Sequence, residues 1–476
     1  MRRTKIVATL GPATESEEAI EAIIRSGVDV VRLNFSHGDA EDHRLRLQRL
    51  RTAANRVGRC VGVLGDLQGP KIRIDRFRDG TIRLEEGAAF ALDADLARDA
   101  GDATQVGLTY KALPEDVQPE DVLLLDDGRI VLRVTAVNGA RIETRVVVGG
   151  ELSDNKGINR QGGGLSAPAI TDKDREDIRL AAELEVDYLA VSFPRSAQDL
   201  HLARSLLKDA GWEAGICAKI ERSEALDAID EIIAATEVIM IARGDLGVEI
   251  GDAELPGVQK TLISRARSLN RLVITATQMM ETMIQNPIPT RAEVFDVANA
   301  VLDGTDAVML SGETATGRYP ARTIASMDRV CEAAERQRAA RQSDHRMDSI
   351  FGRVDEAIAM ATMYTANHLD VAAIAALTES GSTALWMSRI SSGIPIFAIT
   401  RHESTSRRMT LYRGVYPVPL NPIPESHESV NRAAIDLLKA EGVVQDGELV
   451  IITKGDLQGQ HGGTNAMKIV RVGELV

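Results

Sequence analysis

Through the first 330 residues one pattern recurs: a short apolar, β-branched run ends in glycine or polar residues, and a stretch of helical periodicity follows. The runs fall at 5–10, 28–35, 60–66, 188–193, 216–221, 238–245, 272–277 and 307–313, eight in all. They are apolar on both faces rather than alternating, as parallel strands covered by helices must be. Helix starts are marked at Thr14-Glu15-Ser16-Glu17 and Thr290-Arg291-Ala292-Glu293, each with a hydroxyl to cap and a carboxylate three residues on. Eight strand–helix units predict an α/β chain built on a (β/α)8 TIM barrel, whose chemistry sits at the C-terminal ends of its strands.

Two segments break the rhythm. Between 74 and 168 short alternating runs appear, at 81–84, 122–125, 130–137 and 141–148, with turn signals at Asp79-Gly80, Asp127-Gly128 and Asn138-Gly139. This predicts a small β-barrel lid domain, 74–168, inserted after strand 3 and standing over the active face. From 346 to 476 the runs 371–377, 394–400, 415–420, 449–453 and 468–472 predict a C-terminal doubly wound α/β domain. The catalytic barrel is then 1–73 with 169–340, and the polar stretch 336–346 is the expected linker.

Composition narrows the function. Fifty-six basic against 70 acidic side chains give a net charge of −14, and aromatics are 3%, so nucleic acid is not an expected partner. No apolar run approaches the ~20 residues of a membrane helix, and the run 6–10 stops at Gly11-Pro12, too short for a secretory signal. Cys60, Cys217 and Cys331 are scattered, which predicts buried thiols in a reducing cytoplasm rather than disulfides or zinc.

The strand ends carry the candidate chemistry. Strand 2 closes with Arg32, Asn34 and Ser36 on one side, followed by His37. Strand 3 closes at Asp66-Leu67 and leads to Lys71 and Arg73; strand 4 offers Ser192. Strand 5 presents Lys219 and Glu221 on one side, strand 6 ends Arg243-Gly244-Asp245, and strand 7 ends at Thr277. Strands 5 and 6 are neighbours in a closed barrel, so Glu221 and Asp245 are expected to share one divalent cation, Mg²⁺ or Mn²⁺. A metal with Lys219, Arg32 and Arg73 on one rim suits phosphoryl transfer, where catalysis is positioning and charge neutralisation.

Other features have plainer readings. Gly162-Gly163-Gly164 lacks the Walker spacing and reads as a hinge at the return of the lid. Met279, Met280 and Met283 read as core packing on a helix after strand 7, and Arg44 to Arg51 as the solvated side of a helix.

With those residues in place, the chain resembles the pyruvate kinase family over essentially its whole length. The likeness rests on Lys5-Ile6-Val7-Ala8-Thr9-Leu10-Gly11-Pro12-Ala13, Val31-Arg32-Leu33-Asn34-Phe35-Ser36-His37-Gly38, Lys219-Ile220-Glu221, Ile241-Ala242-Arg243-Gly244-Asp245-Leu246-Gly247-Val248-Glu249, Ala276-Thr277-Gln278-Met279 and Met309-Leu310-Ser311-Gly312-Glu313-Thr314. The resemblance implies transfer of phosphate from phosphoenolpyruvate to ADP, giving pyruvate and ATP. It implies Glu221 and Asp245 as metal ligands, Lys219 as the group stabilising the transferring phosphoryl, and Arg32 as a phosphate ligand. It further implies Gly244, the Asp245 amide and Thr277 as the carboxylate cradle, with Thr277 near the proton transfer to the enolate. Asn34, His37, Arg73 and Lys156 fall on the nucleotide side, and a homotetramer is the expected assembly.

One motif departs from a common family pattern. Many members bind K⁺ through positions matching Asn34, Ser36, Asp66 and the Leu67 carbonyl, and carry a glutamate where this chain has Lys71. The run Leu67-Gln68-Gly69-Pro70-Lys71 is similar to the K⁺-independent bacterial subgroup, so K⁺ is not expected to be required. Asp42 and Thr316 also stand where some relatives have Tyr and Lys. In the third domain Thr378-Glu379-Ser380-Gly381-Ser382-Thr383 resembles the family's effector loop, making Ser380, Ser382 and Thr383 candidates for a phosphorylated small-molecule effector, with Arg401, Arg407 and Arg408 nearby. Two rivals are a metal-dependent TIM-barrel lyase acting on phosphoenolpyruvate or pyruvate, and a catalytically silent sugar-phosphate sensor; the presence of Lys219, Glu221 and Asp245 weighs against the second.

Overall fold

The computed structural model describes residues 1–337, 350–421, 427–456 and 462–474. Most of the expected linker, 338–346, lies outside the described residues.

The eight apolar runs form the strands β1 (Lys5–Thr9), β2 (Val30–Asn34), β3 (Gly62–Asp66), β4 (Tyr188–Val191), β5 (Gly215–Ile220), β6 (Val238–Ala242), β7 (Leu272–Ala276) and β8 (Ala307–Leu310). They close in sequence order into one parallel barrel. Strand 6 is shorter than expected: Arg243-Gly244-Asp245 opens the helix Arg243–Ile250 instead of finishing a strand.

Alternation sorts each strand's side chains. Ile6, Ala8, Val63, Ile216, Ala218 and Val273 face the helices and share one core. The interior fills in tiers of four from alternate strands, as a packed barrel requires. Val30, Tyr188, Val238 and Ala307 form one tier, and Val7, Leu64, Cys217 and Ile274 the next, all in a second cluster. Above them lie Arg32, Ala190, Met240 and Met309, then Thr9, Asp66, Lys219 and Ala276. The apolar filling therefore gives way to charge at the C-terminal end.

Caps follow the sequence with one correction. Thr290 and Glu293 make the expected reciprocal box on Arg291–Asp303. At Glu17–Arg25 the cap is Ser16, which accepts from the Ala19 N–H at 3.1 Å; Thr14 instead closes a 3₁₀ turn, accepting from the Gly11 N–H. A nearer hydroxyl wins because the cap must reach the second or third amide of its own helix.

The inserted segment packs one apolar core under two sheets. The larger has six strands in the order Ile158–Arg160, Val122–Leu125, Ile130–Asn138, Arg141–Val148, Ala89–Asp93 and Gln105–Gly107. Asp127-Gly128 and Asn138-Gly139 turn hairpins as expected. Asp79-Gly80 does not: Thr81–Leu84 pairs with the distant Gly150–Ser153.

The C-terminal strands are β9 (Ala373–Leu377), β10 (Ile396–Thr400), β11 (Val415–Pro419), β12 (Leu449–Gly455) and β13 (Thr464–Arg471), ordered β11-β10-β9-β12-β13 with only β13 antiparallel. This unit closes the N-terminal end of the barrel. Its Met363, Met387, Met409 and Tyr412 join the cluster that fills the barrel interior, and the Tyr188 hydroxyl donates to the Arg408 carbonyl at 2.6 Å. Arg51 and Arg407 belong to this junction, meeting Asp187 at 3.8 and 2.9 Å, so Arg51 is not on a solvated face and Arg407 is turned away from the effector loop.

Candidate active site

Asp66 is the hub of the barrel mouth. It is fully buried, and its Oδ2 accepts from Arg32 Nε at 2.6 Å while its Oδ1 faces Lys219 Nζ at 3.4 Å. Arg32 also donates to Thr9 Oγ1 at 3.1 Å. Lys219 reaches Glu221 Oε1 at 3.0 Å and donates to Ser192 Oγ at 2.6 Å, and Ser192 passes a bond to the Leu67 carbonyl at 2.8 Å. Alternation thus places Lys219 and Glu221 together, as expected, and brings five strands to one point.

Burial opposes charge at both members of that pair. It would strip the proton from Lys219, but Asp66 and Glu221 outweigh it and hold the ammonium above the ordinary lysine range. Burial, with the negative charge of Asp245, lifts the Glu221 carboxyl above its usual range against the pull of Lys219. Glu221 Oε2 also accepts the Phe193 N–H at 2.9 Å. Glu221 and Asp245 therefore lie within each other's field, an arrangement that a dication shared between them would relieve. Among the described residues no group of three or more His, Cys, Asp or Glu forms a metal cluster. Two carboxylates, with the remaining positions left to substrate oxygens and water, fit Mg²⁺ in particular.

Thr277 sits where β7 turns sharply, at φ 64°, with Gln278 at φ 54°. A β-branched residue in the left-handed region is strained, and such strain concentrates at functional sites. Arg243 fixes the turn: it forks onto Asp296 at 2.6 and 2.8 Å and donates to the Thr277 carbonyl at 2.7 Å. Thr277 Oγ1 in turn accepts the Gly244 N–H at 2.9 Å. The sequence signalled Thr277 and Gly244; the Arg243 clamp it did not, because Asp296 is 53 residues away on the helix Arg291–Asp303.

The remaining candidates flank this centre. His37 is held below the usual histidine range by burial and then by the charges of Arg32, Arg73 and Lys71, so it is neutral near pH 7. Asn34 Oδ1 accepts the Ser36 N–H at 3.2 Å, and the Leu67 carbonyl is taken by Ser192. Lys71 lines a narrow cleft with Asp245, Glu249, Asn159 and Arg222. Gly69 allows the turn that delivers it: φ is 66°, and a Cβ would lie 2.7 Å from that of Ser192. In the lid, Arg73 donates to the Asn155 carbonyl at 2.8 Å, and Lys156 pairs with Asp126 at 2.7 Å rather than with any residue of the mouth. Gly162, Gly163 and Gly164 all have positive φ, and Gly164 donates to Glu224 on the barrel. Met279, Met280 and Met283 are fully buried, although they lie on a turn and the 3₁₀ segment Glu281–Ile284 instead of an α-helix. Cys217 and Cys331 are buried and Cys60 is half-buried.

In the C-terminal unit Gly381 (φ 83°) starts the helix Ser382–Ser388. Ser380 Oγ meets Ser382 Oγ at 3.2 Å, whereas Thr383 turns inward to Thr464 at 2.7 Å. Arg401 pairs with Glu379 at 3.3 Å.

A parallel (β/α)8 barrel with buried carboxylates and cations at its C-terminal mouth, a β lid above and an α/β unit below defines a barrel phosphotransferase. Two family models match in order, "Pyruvate kinase, barrel domain" over residues 1–324 and "Pyruvate kinase, alpha/beta domain" over 356–470. The chain is 57% identical to Pyruvate kinase II of Salmonella typhimurium over 99% of both proteins. It is 56% identical to the pyruvate kinase of Haemophilus influenzae over 96% of both, and 42% to that of Geobacillus stearothermophilus over all of this chain and 81% of the relative. The chain belongs to the pyruvate kinase family. Among the described residues no helix is long and apolar enough to cross a membrane.

Proposed function

We propose that this chain transfers the phosphoryl group of phosphoenolpyruvate to ADP at the barrel mouth, giving pyruvate and ATP. One observation carries the reading: an ammonium kept charged in a buried site, Lys219, stands between Asp66 and Glu221 beside Arg32. A fixed cation in a dry pocket offsets the charge of a transferring phosphoryl without reorganising at the moment of reaction. Arg32 binds the same phosphate, its guanidinium held in aim by Asp66 and Thr9. Gly244, the Asp245 amide and Thr277 receive the substrate carboxylate, and the Thr277 hydroxyl stands where the enolate carbon takes its proton. Glu221 and Asp245 would hold the divalent ion, Mg²⁺ or Mn²⁺, which supplies charge neutralisation between the two anions.

Neutral His37, with Asn34, Arg73 and Lys156, faces the nucleotide, the Lys156 side chain leaving Asp126 of the same lid to reach it. K⁺ is not required: Asn34 and the Leu67 carbonyl already have partners, and Lys71, whose charge reaches His37, supplies the cation at the site of Asn34, Ser36, Asp66 and Leu67. The loop bearing Ser380, Ser382 and Thr383 is the effector site for a phosphorylated metabolite, with Ser380 and Ser382 as its ligands. The units divide as 1–73 with 169–340, 74–168 and 346–476, and the protein works as a cytoplasmic homotetramer. The lyase alternative would need no ADP, no lid lysine Lys156 and no Arg73.

The test is an assay with phosphoenolpyruvate, ADP and Mg²⁺. Lys219→Ala is expected to lower kcat by about 10²–10³-fold or more with little change in KM. Pyruvate release that proceeds without ADP would sink the reading.

A further inference from the structure

The floor of the barrel repeats one device four times. An acid precedes each even-numbered strand: Asp29, Asp187, Glu237 and Asp306. Each carboxylate accepts the N–H of the second residue of the preceding strand, Ile6 at 2.8, Val63 at 2.8, Ile216 at 2.7 and Val273 at 2.9 Å. Each acid's own N–H returns to that residue's carbonyl, at 3.0, 2.9, 3.1 and 3.0 Å. The odd-numbered strands are thereby pinned in height at their lower ends. Three or four residues up, about 10–13 Å at ~3.3 Å per residue, the same strands bear Thr9, Asp66, Lys219 and Thr277.

The four corners differ in what neutralises them. Asp29 meets Arg2 and Arg59 at 2.8 and 3.5 Å, and Glu237 meets Arg204 at 2.9 Å, all from the barrel itself. Asp306 takes Arg389 (Nη1 to Oδ2, 2.9 Å) from the C-terminal unit, and Asp187 takes Arg407 at 2.9 Å from that unit, with Arg51 of the barrel farther off at 3.8 Å. Arg389 is fully buried, forks onto Asp306 and also donates to the Arg271 carbonyl at 2.8 Å. The corners served from outside hold β3 and β7, which stand opposite each other in the ring and carry Asp66 and Thr277.

We propose that Arg389 and Arg407 are positioning residues for the reaction: by neutralising Asp306 and Asp187, they let those carboxylates set the height of Thr277 and Asp66 at the mouth. An unneutralised carboxylate in this buried junction would draw in water or a proton and release its strand. The C-terminal unit thus grips the catalytic barrel across its diameter, at two of four equivalent points. This inference rests on the substrate-side roles of Thr277 and Asp66 given above.

Variants of the full chain test it, read as kcat per folded molecule, KM for each substrate, and deuterium incorporation from solvent into the methyl group of added pyruvate in the absence of phosphoenolpyruvate, which reports proton transfer apart from phosphoryl transfer. Arg389→Met is expected to lower kcat and deuterium incorporation tenfold or more, with KM for ADP within twofold. Adding Asp306→Asn keeps an oxygen for the Val273 N–H and removes the stranded charge, so it should recover at least half of the loss. If Arg389→Met does not fold, Arg389→Lys, with its single contact, should lower kcat at least threefold. Amide exchange should quicken in peptide 272–277 and not in 215–220, whose corner Arg204 serves. A folded variant with kcat within twofold of wild type, or a loss that Asp306→Asn leaves untouched, overturns the proposal. Thr277→Ala separates the failures. If it preserves deuterium incorporation, the assignment of Thr277 is wrong; if it abolishes incorporation while Arg389→Met does not, only the positioning role fails.

Discussion

At the floor of the barrel Asp29, Asp187, Glu237 and Asp306 each hold a backbone N–H and at least one arginine. At the mouth burial, with the charge of Asp245, lifts Glu221, Asp66 Oδ1 has no hydrogen bond, and Thr277 and Gln278 are strained. The same strands run between the two ends. The floor spends its polar groups on one another and gains rigidity. The mouth leaves attraction unfilled, and that residue of attraction is what a phosphorylated substrate and a divalent ion can use.

Removing a floor carboxylate should cost stability as well as rate, whereas removing a group at the mouth should cost rate alone. The largest expected effect is Asp187→Ala, which strands Arg407 and frees the Val63 N–H. It should lower the free energy of the first unfolding transition in denaturant by about 3–5 kcal/mol. A loss under 1 kcal/mol would break the contrast. Thr277→Gly probes the other end: glycine adopts φ 64° without strain but removes the hydroxyl from the Gly244 amide. The melting temperature should hold or rise while kcat falls by about 10²-fold or more. A drop in both would make Thr277 a structural residue.

A third test uses Glu313, just beyond β8, which burial pushes up to about 7 while the Ser311 N–H donates to it at 2.6 Å. Its folded value exceeds its unfolded one, so its stabilising contribution is complete below about pH 4.5 and fades as pH rises through 7. Glu313→Gln should match wild type near pH 5 and exceed it above pH 7, by on the order of 2 kcal/mol in unfolding experiments. A pH-independent difference would contradict the burial argument. The smallest expected effect is that of K⁺: with Lys71 tethered at the mouth, omitting K⁺ and Na⁺ should change kcat less than twofold. A many-fold loss restored by KCl would show the mouth to be more open than Lys71 leaves it.

Much of this was legible in one dimension. Runs apolar on both faces and ending in polar residues can bury themselves only as covered parallel strands, so β1 to β8 and the residues at their ends follow from local pattern. The placement of Lys219 beside Glu221 follows from the two-residue period of a strand. The errors share a cause. Asp79-Gly80 reads as a hairpin turn, but Thr81–Leu84 finds its partner some 70 residues on, in Gly150–Ser153, where the lid core closes. Arg407 reads as one of a phosphate-seeking cluster, but Asp187 claims it from 220 residues away.

The sequence by itself determined which segments are strands, which side of each strand is charged, and that Lys219, Glu221, Asp245, Arg32 and Thr277 belong to one rim. Only the tertiary structure decided that Asp66 holds both cations, that Arg243 clamps the Thr277 turn, and that Arg389 and Arg407 reach under the barrel. Pattern along a chain reports burial and local hydrogen bonding. The pairing of a buried charge is settled by whichever opposite charge the closed fold brings within ~4 Å, and that distance exists only once the barrel is shut.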